Sequence, residues 1–194
     1  MQGDFVRIAV SGTHCSGKST LIEDFLAAHA DFVHEPEPYE WLVDFYGESM
    51  SAEPEAYDFY RQLEISTERL CGYPPGSRMI AERSPIDFLA YLRAWTDLRR
   101  SGDASDLMET SLELVRAGMQ HVDLLVVLPL DDSDRIVVPE DEDLELRSAM
   151  DDQLLELIHS DELAPLIPGH LRIVEARGAR DTRLAAIERA IRGG

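Results

Sequence analysis

Cysteine and long apolar runs are scarce in this chain of 194 residues, and each shortage argues against a class of protein. The two cysteines, Cys15 and Cys71, form neither a disulfide framework nor a metal-ligand spacing, which suits a reducing compartment. No apolar run is long enough to cross a bilayer, and the N-terminal residues do not resemble a secretory signal. We therefore expect a cytoplasmic protein without a membrane partner.

Positive charge is also in short supply. The chain has 18 basic residues against 38 acidic ones, which gives a formal net charge of -20. Duplex and single-strand binding rely on a basic face, so a nucleic acid polymer is excluded as a partner. With 44% hydrophobic and 29% charged residues, the sequence predicts one globular domain over residues 1–194.

A glycine-bearing stretch stands out against this background. It follows the apolar run Phe5–Val10 and precedes the helical pattern Leu21–Leu26, so it matches the Gly-x-x-x-x-Gly-Lys-Ser/Thr phosphate loop in its required context. Lys18 is the one lysine in the chain and is expected to reach the β- and γ-phosphates of ATP, while the Ser19 hydroxyl would hold Mg²⁺. The expected nucleotide-binding residues are Gly12, Thr13, His14, Cys15, Ser16, Gly17, Lys18, Ser19 and Thr20.

Short apolar runs alternate with helical patterns along the rest of the chain. This alternation predicts an α/β fold of three layers, with a five-stranded parallel sheet flanked by helices and the strand Phe5–Val10 in its centre. Ligands of such folds bind at the carboxyl ends of the strands. Glu35, Glu82 and Arg83 each follow a short apolar run, so we expect them in the crevice of the phosphate loop.

Two alternatives stay open for these charged residues. Glu35 fits a base that accepts a proton, or a solvated acid before a turn. Glu82 and Arg83 fit metal and phosphate binding, or a salt-bridged surface turn. A guanine-reading Asn-Lys-x-Asp is lacking, and the Asp123–Leu128 strand precedes no obvious hydrolytic Asp-Glu pair, which disfavours GTPases and motor ATPases.

Two short motifs in this sequence resemble those of a known kinase family. Glu35-Pro36 followed by Trp41, and Glu82-Arg83-Ser84 after a strand, look like the Glu-Pro…Trp and Asp/Glu-Arg-Ser motifs of the P-loop deoxynucleoside kinases and the related bacterial ATPase/kinase-like proteins of the NadR kinase type. The resemblance implies that Glu35 is the catalytic base, Glu82 the metal-site acid and Arg83 a catalytic arginine on the phosphates. It also implies substrate contacts from Gln62, Arg69 and, weakly, Asp87.

The expected lid departs from this family. Residues 131–147 form a candidate mobile lid, but residues 131–145 hold one arginine, Arg135, among many acids, whereas the family's lid is rich in arginine. Arg135 or Arg147 would have to swing towards the triphosphate, and we assign Arg147 a catalytic role.

Two classes of function remain. The first is a kinase that transfers the γ-phosphate of Mg-ATP to a small hydroxyl-bearing acceptor, such as a nucleoside or nucleotide-like metabolite. The second is an NTP-binding regulatory switch whose lid orders on nucleotide and meets a partner protein. The convergence of Glu35, Glu82 and Arg83 favours the kinase. A homodimer is left open.

Overall fold

The computed structural model describes residues 7–48, 54–100, 104–131 and 136–192. Its five strands are β1 Arg7–Ser11, β2 Val33–Glu35, β3 Met79–Glu82, β4 Leu124–Val127 and β5 Arg172–Glu175. They form one parallel sheet in the order β2-β3-β1-β4-β5. The predicted five-stranded parallel sheet with a central first strand is confirmed, although Phe5 lies outside the described residues.

Seven helices connect the strands in the described ranges. They are α1 Lys18–Ala28, α2 Pro38–Asp44, α3 Ala56–Gly72, α4 Pro85–Asp97, α5 Ala104–Met119, α6 Leu144–His159 and α7 Arg180–Arg192. A short 3-10 helix, Asp161–Leu163, follows α6. In the part of the chain that is described, no helix is both long and apolar enough to cross a bilayer.

Alternate residues of the strands face opposite sides of the sheet, and each side is covered by its own helices. Ala9 and Leu125 point into a core cluster with residues of α3, α4, α5 and α6. Ile8 and Val126 point into a second cluster with residues of α1 and α7. The three central strands β1, β3 and β4 are buried throughout, as strands covered on both faces are, and the expected three-layer α/β architecture is confirmed.

Helix α2 is the element that the sequence analysis did not predict. Pro36 and Pro38 end β2, but Pro38 then occupies the first turn of α2, where its missing N–H costs nothing. Two turns of helix follow before Phe45. This helix carries Trp41 back towards the sheet and determines which way the neighbouring acids face.

Parallel register brings the functional residues to one edge of the sheet. Val10 of β1 pairs with Glu82 of β3, and the next residue, Ser11, pairs with Val127 of β4. Glu35 lies one step lower, because it pairs with Ala81. The carboxyl ends of β1, β3 and β4 therefore lie side by side, and ligands of open α/β sheets bind outside such strand ends.

Candidate active site

The phosphate loop connects β1 to α1. Gly12 has φ 152°, and a Cβ there would lie 2.7 Å from the Leu128 carbonyl oxygen and from Ser16 Oγ. Gly17, with φ 93°, ends the loop directly before Lys18, the first residue of α1. Both glycines are needed for this path, and the free N–H groups of the first helical turn face the same edge as the loop, as an anion site requires.

Lys18 is held close to the loop. Its buried ammonium donates to the Thr13 carbonyl oxygen at 2.9 Å. Burial, together with the nearby Arg83, lowers the pKa of Lys18 to about 8. A bound phosphate would oppose both effects, because it supplies the negative charge that a buried ammonium lacks.

Ser19 and Glu82 lie together beside the loop. The Ser19 hydroxyl donates to Glu82 Oε1 at 2.8 Å, and His34 Nε2 lies 3.9 Å from the other carboxylate oxygen. One hydroxyl and one carboxylate are hard oxygen ligands that fit Mg²⁺, which in nucleotide sites keeps waters and phosphate oxygens as its other ligands. Among the described residues no group of three or more His, Cys, Asp and Glu could hold a metal without such help.

Arg83 is the central cation of the site. It has φ 72°, it is 1% exposed, and its Nη1 donates to the Gly12 carbonyl oxygen at 3.1 Å. Its Nε donates to Glu37 Oε1, and its Nη2 has no hydrogen-bond partner within the described ranges. The turn after β3 therefore directs a buried guanidinium between the phosphate loop and Glu37.

A cavity of about 470 Å³ opens beside this pair, a volume that suits a small-molecule ligand. One wall is aromatic, because the rings of Phe59 and Tyr91 stack with centroids 4.6 Å apart and an interplanar angle of 6°. Its other walls come from the phosphate loop, from α2, α3 and the turn before α4, and from the start of α6 with the segment before it. Their polar lining residues are His14, Glu37, Tyr39, Gln62, Arg83, Asp141, Glu142, Asp143 and Arg147.

Glu37 is the carboxylate of the cavity lining that pairs with Arg83. Burial alone would raise its pKa, but the opposing charges of Arg83 and Lys18 outweigh burial and lower the pKa of Glu37 to about 2. Glu37 is therefore ionised at neutral pH. It can accept a hydrogen bond from a hydroxyl in the cavity while Arg83 remains on its other side.

The segment over the cavity contacts the phosphate loop. Arg147 donates from Nε to the His14 carbonyl oxygen at 2.9 Å and from Nη2 to the Cys15 carbonyl oxygen at 3.3 Å. His14 Nδ1 lies 3.2 Å from Glu142 Oε1. Of the predicted lid arginines, Arg147 thus lies at the loop, whereas Arg135 lies outside the described residues.

A smaller cavity of about 160 Å³ lies on the other side of the loop, between Gly17, Thr20, Ile136 and the start of α7. Arg183 of α7 borders it. The Arg183 Nη1 donates to the Ser16 carbonyl oxygen at 2.9 Å, and a Cβ on Gly17 would lie 2.9 Å from that same nitrogen. Helix α7 therefore supports the phosphate loop through the hydrogen bond from Arg183 to Ser16.

Neither a family model nor a curated protein matches the chain, but solved structures do. A thymidylate kinase from Candida albicans superposes with a TM-score of 0.67 at 18% identity, over 98% of this chain and 92% of that one. A deoxyadenosine kinase from M. mycoides with bound dATP gives a TM-score of 0.67 at 14% identity, over 96% and 100% of the two chains. A NadR protein in complex with NAD and AMP-PNP gives 0.65 at 16% identity, over 98% of this chain and 50% of that one.

The chain has a P-loop nucleoside and nucleotide kinase fold. The resemblance stated from the Glu-Pro and Glu-Arg-Ser motifs is confirmed at the level of the fold. The activities of these proteins differ, so the acceptor of this chain has to be argued from its own residues.

Within this kinase fold, Glu35 does not line the cavity beside Glu37 and Arg83. Its carboxylate accepts from Trp41 Nε1 at 2.6 Å, from Arg69 Nε and Nη2 at 2.9 Å each, and from the Tyr73 hydroxyl at 2.5 Å. A carboxylate whose oxygens already accept four donors is poorly placed to take a proton from a substrate. The structure thus places Glu35 in a cluster with Trp41, Arg69 and Tyr73, outside the lining of this cavity, and its role as the base stays a prediction.

The three predicted substrate residues also separate. Gln62 lines the cavity beside Arg83. Arg69 does not, because it is engaged with Glu35 and lies 3.9 Å over the Trp41 ring. Asp87 is fully buried beneath the loop, where it accepts from Ser11 Oγ, the Gly12 N–H at 2.9 Å and the Ser84 N–H at 2.8 Å. Asp87 thus supports the loop and the Arg83 turn, and it does not line the cavity.

Sequence reasoning missed Glu37 and Arg183. A signal for Glu37 was present, because the chain contains two successive Glu-Pro pairs, Glu35-Pro36 and Glu37-Pro38, before Trp41. No local signal identified Arg183, which contacts a residue 167 positions earlier in the chain.

Proposed function

We propose that this protein is a phosphotransferase that moves the γ-phosphate of Mg-ATP to a hydroxyl of a small, nucleoside-like acceptor. The observation that carries the proposal is the Glu37–Arg83 pair, which lies between the phosphate loop and a cavity of about 470 Å³. A nucleotide-binding loop alone does not require such a cavity. A kinase does, because it must hold an acceptor in line with the phosphate that it transfers.

On the donor side, residues Gly12–Thr20 would cradle the phosphates through backbone N–H groups, with Lys18 as the cation on the β- and γ-phosphates. Ser19 and Glu82 would hold Mg²⁺, whose charge would stabilise the transferring phosphoryl group. Arg147 already lies on the loop backbone and would add a cation above it. The cavity of about 160 Å³ beside Thr20 and Arg183 would receive part of the nucleotide.

On the acceptor side, we assign the role of base to Glu37 in place of Glu35. Its ionised oxygen would accept the hydrogen of the attacking hydroxyl and orient that hydroxyl towards the γ-phosphate. A pKa of about 2 makes Glu37 a weak base while Arg83 holds it. When Arg83 turns part of its charge to a phosphate, the pKa of Glu37 rises, so proton transfer becomes easier as the phosphate arrives.

The regulatory switch remains the second candidate. The contacts of Arg147 and Glu142 with the loop favour it, because they link residues of the expected lid to the nucleotide site. A switch needs these contacts but has no use for a lined acceptor cavity, so acceptor dependence distinguishes the two functions.

The test is a screen of nucleosides, nucleotides and other small alcohols for acceptor-dependent ADP release with Mg-ATP. The proposal expects at least one acceptor to raise ADP release above the rate with water alone, and Lys18→Ala to abolish that rise. Tight nucleotide binding without any acceptor effect would favour the switch and contradict the kinase.

A further inference from the structure

Three aromatic side chains form a contiguous group at the end of α2, and we call them the α2 aromatic patch: Trp41, Phe45 and Tyr46. Phe45 is 74% exposed and Tyr46 is 41% exposed. The ring centroids of Trp41 and Phe45 lie 5.5 Å apart, and those of Phe45 and Tyr46 lie 5.8 Å apart. The rings line a surface cavity, also of about 470 Å³, together with Glu68, Arg69 and Gly72 of α3. Contiguous exposed apolar groups of this kind mark interaction surfaces, whereas single exposed rings do not.

Two of the three rings already hold guanidinium groups of this chain. The Arg69 Cζ lies 3.9 Å from the Trp41 ring centroid, and the Arg61 Cζ lies 5.5 Å from the Tyr46 ring centroid. These are cation–π contacts, in which the negative face of an aromatic ring attracts a cation. Phe45 is the most exposed of the three, and no arginine of the described ranges lies over its ring. Its ring is therefore open to a cation from another molecule.

The arginines on these rings are already matched by carboxylates. Arg69 Nε lies 2.9 Å from Glu35 Oε1, so its charge is balanced on the side away from the ring. Arg61 lies 2.9 Å from Glu48 and 3.1 Å from Glu64. A further cation at the patch would therefore meet no unbalanced guanidinium.

Two acids beside the patch have no such partner. Asp44 follows Trp41 by three positions, which makes the two side chains neighbours on the surface of α2. The Tyr46 hydroxyl donates to Glu68 Oε2 at 3.4 Å. Asp44 and Glu68 are both exposed, and neither forms an ion pair with another of the described residues. The patch thus combines an open aromatic ring with unpaired carboxylates, in a chain whose formal net charge is -20.

We infer that the α2 aromatic patch binds a basic segment of a partner protein, with an arginine of that segment stacked on Phe45 and paired with Glu68. Arginine fits better than lysine, because a planar guanidinium can stack on a ring and donate to a carboxylate at the same time. A second copy of this chain fits less well, since two acidic chains repel each other. The inference goes beyond the proposed function and does not rest on it, because none of the three rings lines the cavity of the phosphate loop.

The probe is a short synthetic peptide of Arg-Gly repeats, compared with the same peptide in which lysine or citrulline replaces arginine. Citrulline keeps the shape of arginine but carries no charge. Binding to the full chain is measured by titration calorimetry at physiological ionic strength, where weak long-range attraction is largely screened. We expect the arginine peptide to bind several-fold more tightly than the lysine peptide, and the citrulline peptide to show no measurable binding.

Variants assign the binding to the patch. Phe45→Ala and Glu68→Gln should each weaken the arginine peptide by about 2- to 5-fold, the usual worth of an exposed cation–π contact or ion pair, and the double variant should weaken it by about tenfold. Tyr57→Ala is the matched aromatic control, because Tyr57 is 58% exposed on α3 outside the patch. Glu109→Gln removes an exposed acid of α5. Neither control should alter the affinity, and all four side chains are exposed, so the Tm should stay the same throughout.

Equal binding of the arginine and citrulline peptides, or no binding of any peptide, would overturn the inference. A loss in the two control variants as large as in the patch variants would do the same, because the peptide would then bind the acidic chain at large. Analytical ultracentrifugation of the protein alone tests the other occupant. A concentration-dependent dimer that Phe45→Ala dissociates would assign the patch to a second copy and contradict the basic partner.

Discussion

Replacing Glu37 by glutamine keeps the size of the side chain and its ability to hydrogen-bond, but it removes the charge that faces Arg83 and the cavity. If Glu37 accepts the acceptor's proton, Glu37→Gln should lower kcat by about 10²- to 10⁴-fold, which is the usual worth of general base catalysis. Nucleotide affinity should change little, because the phosphates are held by the loop and Lys18. The assay is acceptor-dependent ADP release, with Mg-ATP affinity measured on the same sample.

Glu35→Gln is the matched comparison, since it makes the same chemical change two residues earlier. Here glutamine removes the charge opposite Arg69 in a carboxylate that is 4% exposed. Because the Arg69 side chain is 34% exposed and glutamine keeps some hydrogen bonds, we expect a loss of about 2–3 kcal/mol, below the usual range for a broken buried pair. In a domain of this size that corresponds to a fall in Tm of about 4–12 °C.

The two variants should therefore show opposite patterns at a temperature where both are folded. Glu37→Gln should lose turnover, and Glu35→Gln should lose thermal stability while most of its turnover remains. Glu40→Gln, on the exposed face of α2, is the control and should alter neither. A hundredfold loss of kcat in folded Glu35→Gln, with turnover kept in Glu37→Gln, would refute the assignment and return the base to Glu35.

Three further predictions concern the loop and its electrostatics. Lys18→Ala should abolish tight Mg-ATP binding with little change in Tm, and unchanged affinity by calorimetry would count against the loop. Asp87→Asn should lower Tm and raise KM for ATP, because an amide leaves a buried donor from Ser11, Gly12 or Ser84 unsatisfied at about 1–3 kcal/mol; an unaltered KM would limit Asp87 to a role in folding. Because the pKa of Glu37 is lowered to about 2, its charge stabilises the folded state above the usual pKa of 4.5, and this stability should be lost as the pH falls towards 2. The free energy of unfolding of Glu37→Gln, measured by denaturant titration, should therefore fall less over this pH range than that of the parent.

The fold could be predicted because its signals are local. The phosphate loop, the apolar strands and Pro85 at the start of α4 are each visible within about ten residues, and parallel strands then place their carboxyl ends at one edge. The strand ends at that edge placed Glu82 in the crevice of the phosphate loop, where the Ser19 hydroxyl donates to it. Helix α2 escaped prediction because prolines end a strand as readily as they begin a helix, and Pro38 here occupies the first turn of α2.

The choice between Glu35 and Glu37 depends on contacts that no local pattern contains. The Glu35 carboxylate accepts hydrogen bonds from Trp41, Arg69 and Tyr73, which lie 6, 34 and 38 positions away along the chain. Whether a carboxylate meets those donors or a cavity depends on how α2 and α3 pack. A motif of the Glu-Pro type identifies the segment, but it does not determine which of two neighbouring acids faces the ligand.

The acidic segment 131–147 has a similar history. Its charge predicted repulsion of a triphosphate. Among its described residues, Arg147 donates to the loop backbone, and Glu142 lies 3.2 Å from His14 of the same loop. The structure therefore brings both signs of this segment's charge to the loop, and Asp141 lines the cavity beside it.

The most direct test of the central claim follows the γ-phosphate itself. ATP labelled in its γ-phosphate is incubated with Mg²⁺, the protein and a panel of nucleosides, nucleotides and other small alcohols, and the products are separated. We expect label in a phosphorylated acceptor, lost in Lys18→Ala and strongly reduced in Glu37→Gln. Label that stays in ATP, or appears only as inorganic phosphate with every acceptor, would contradict it.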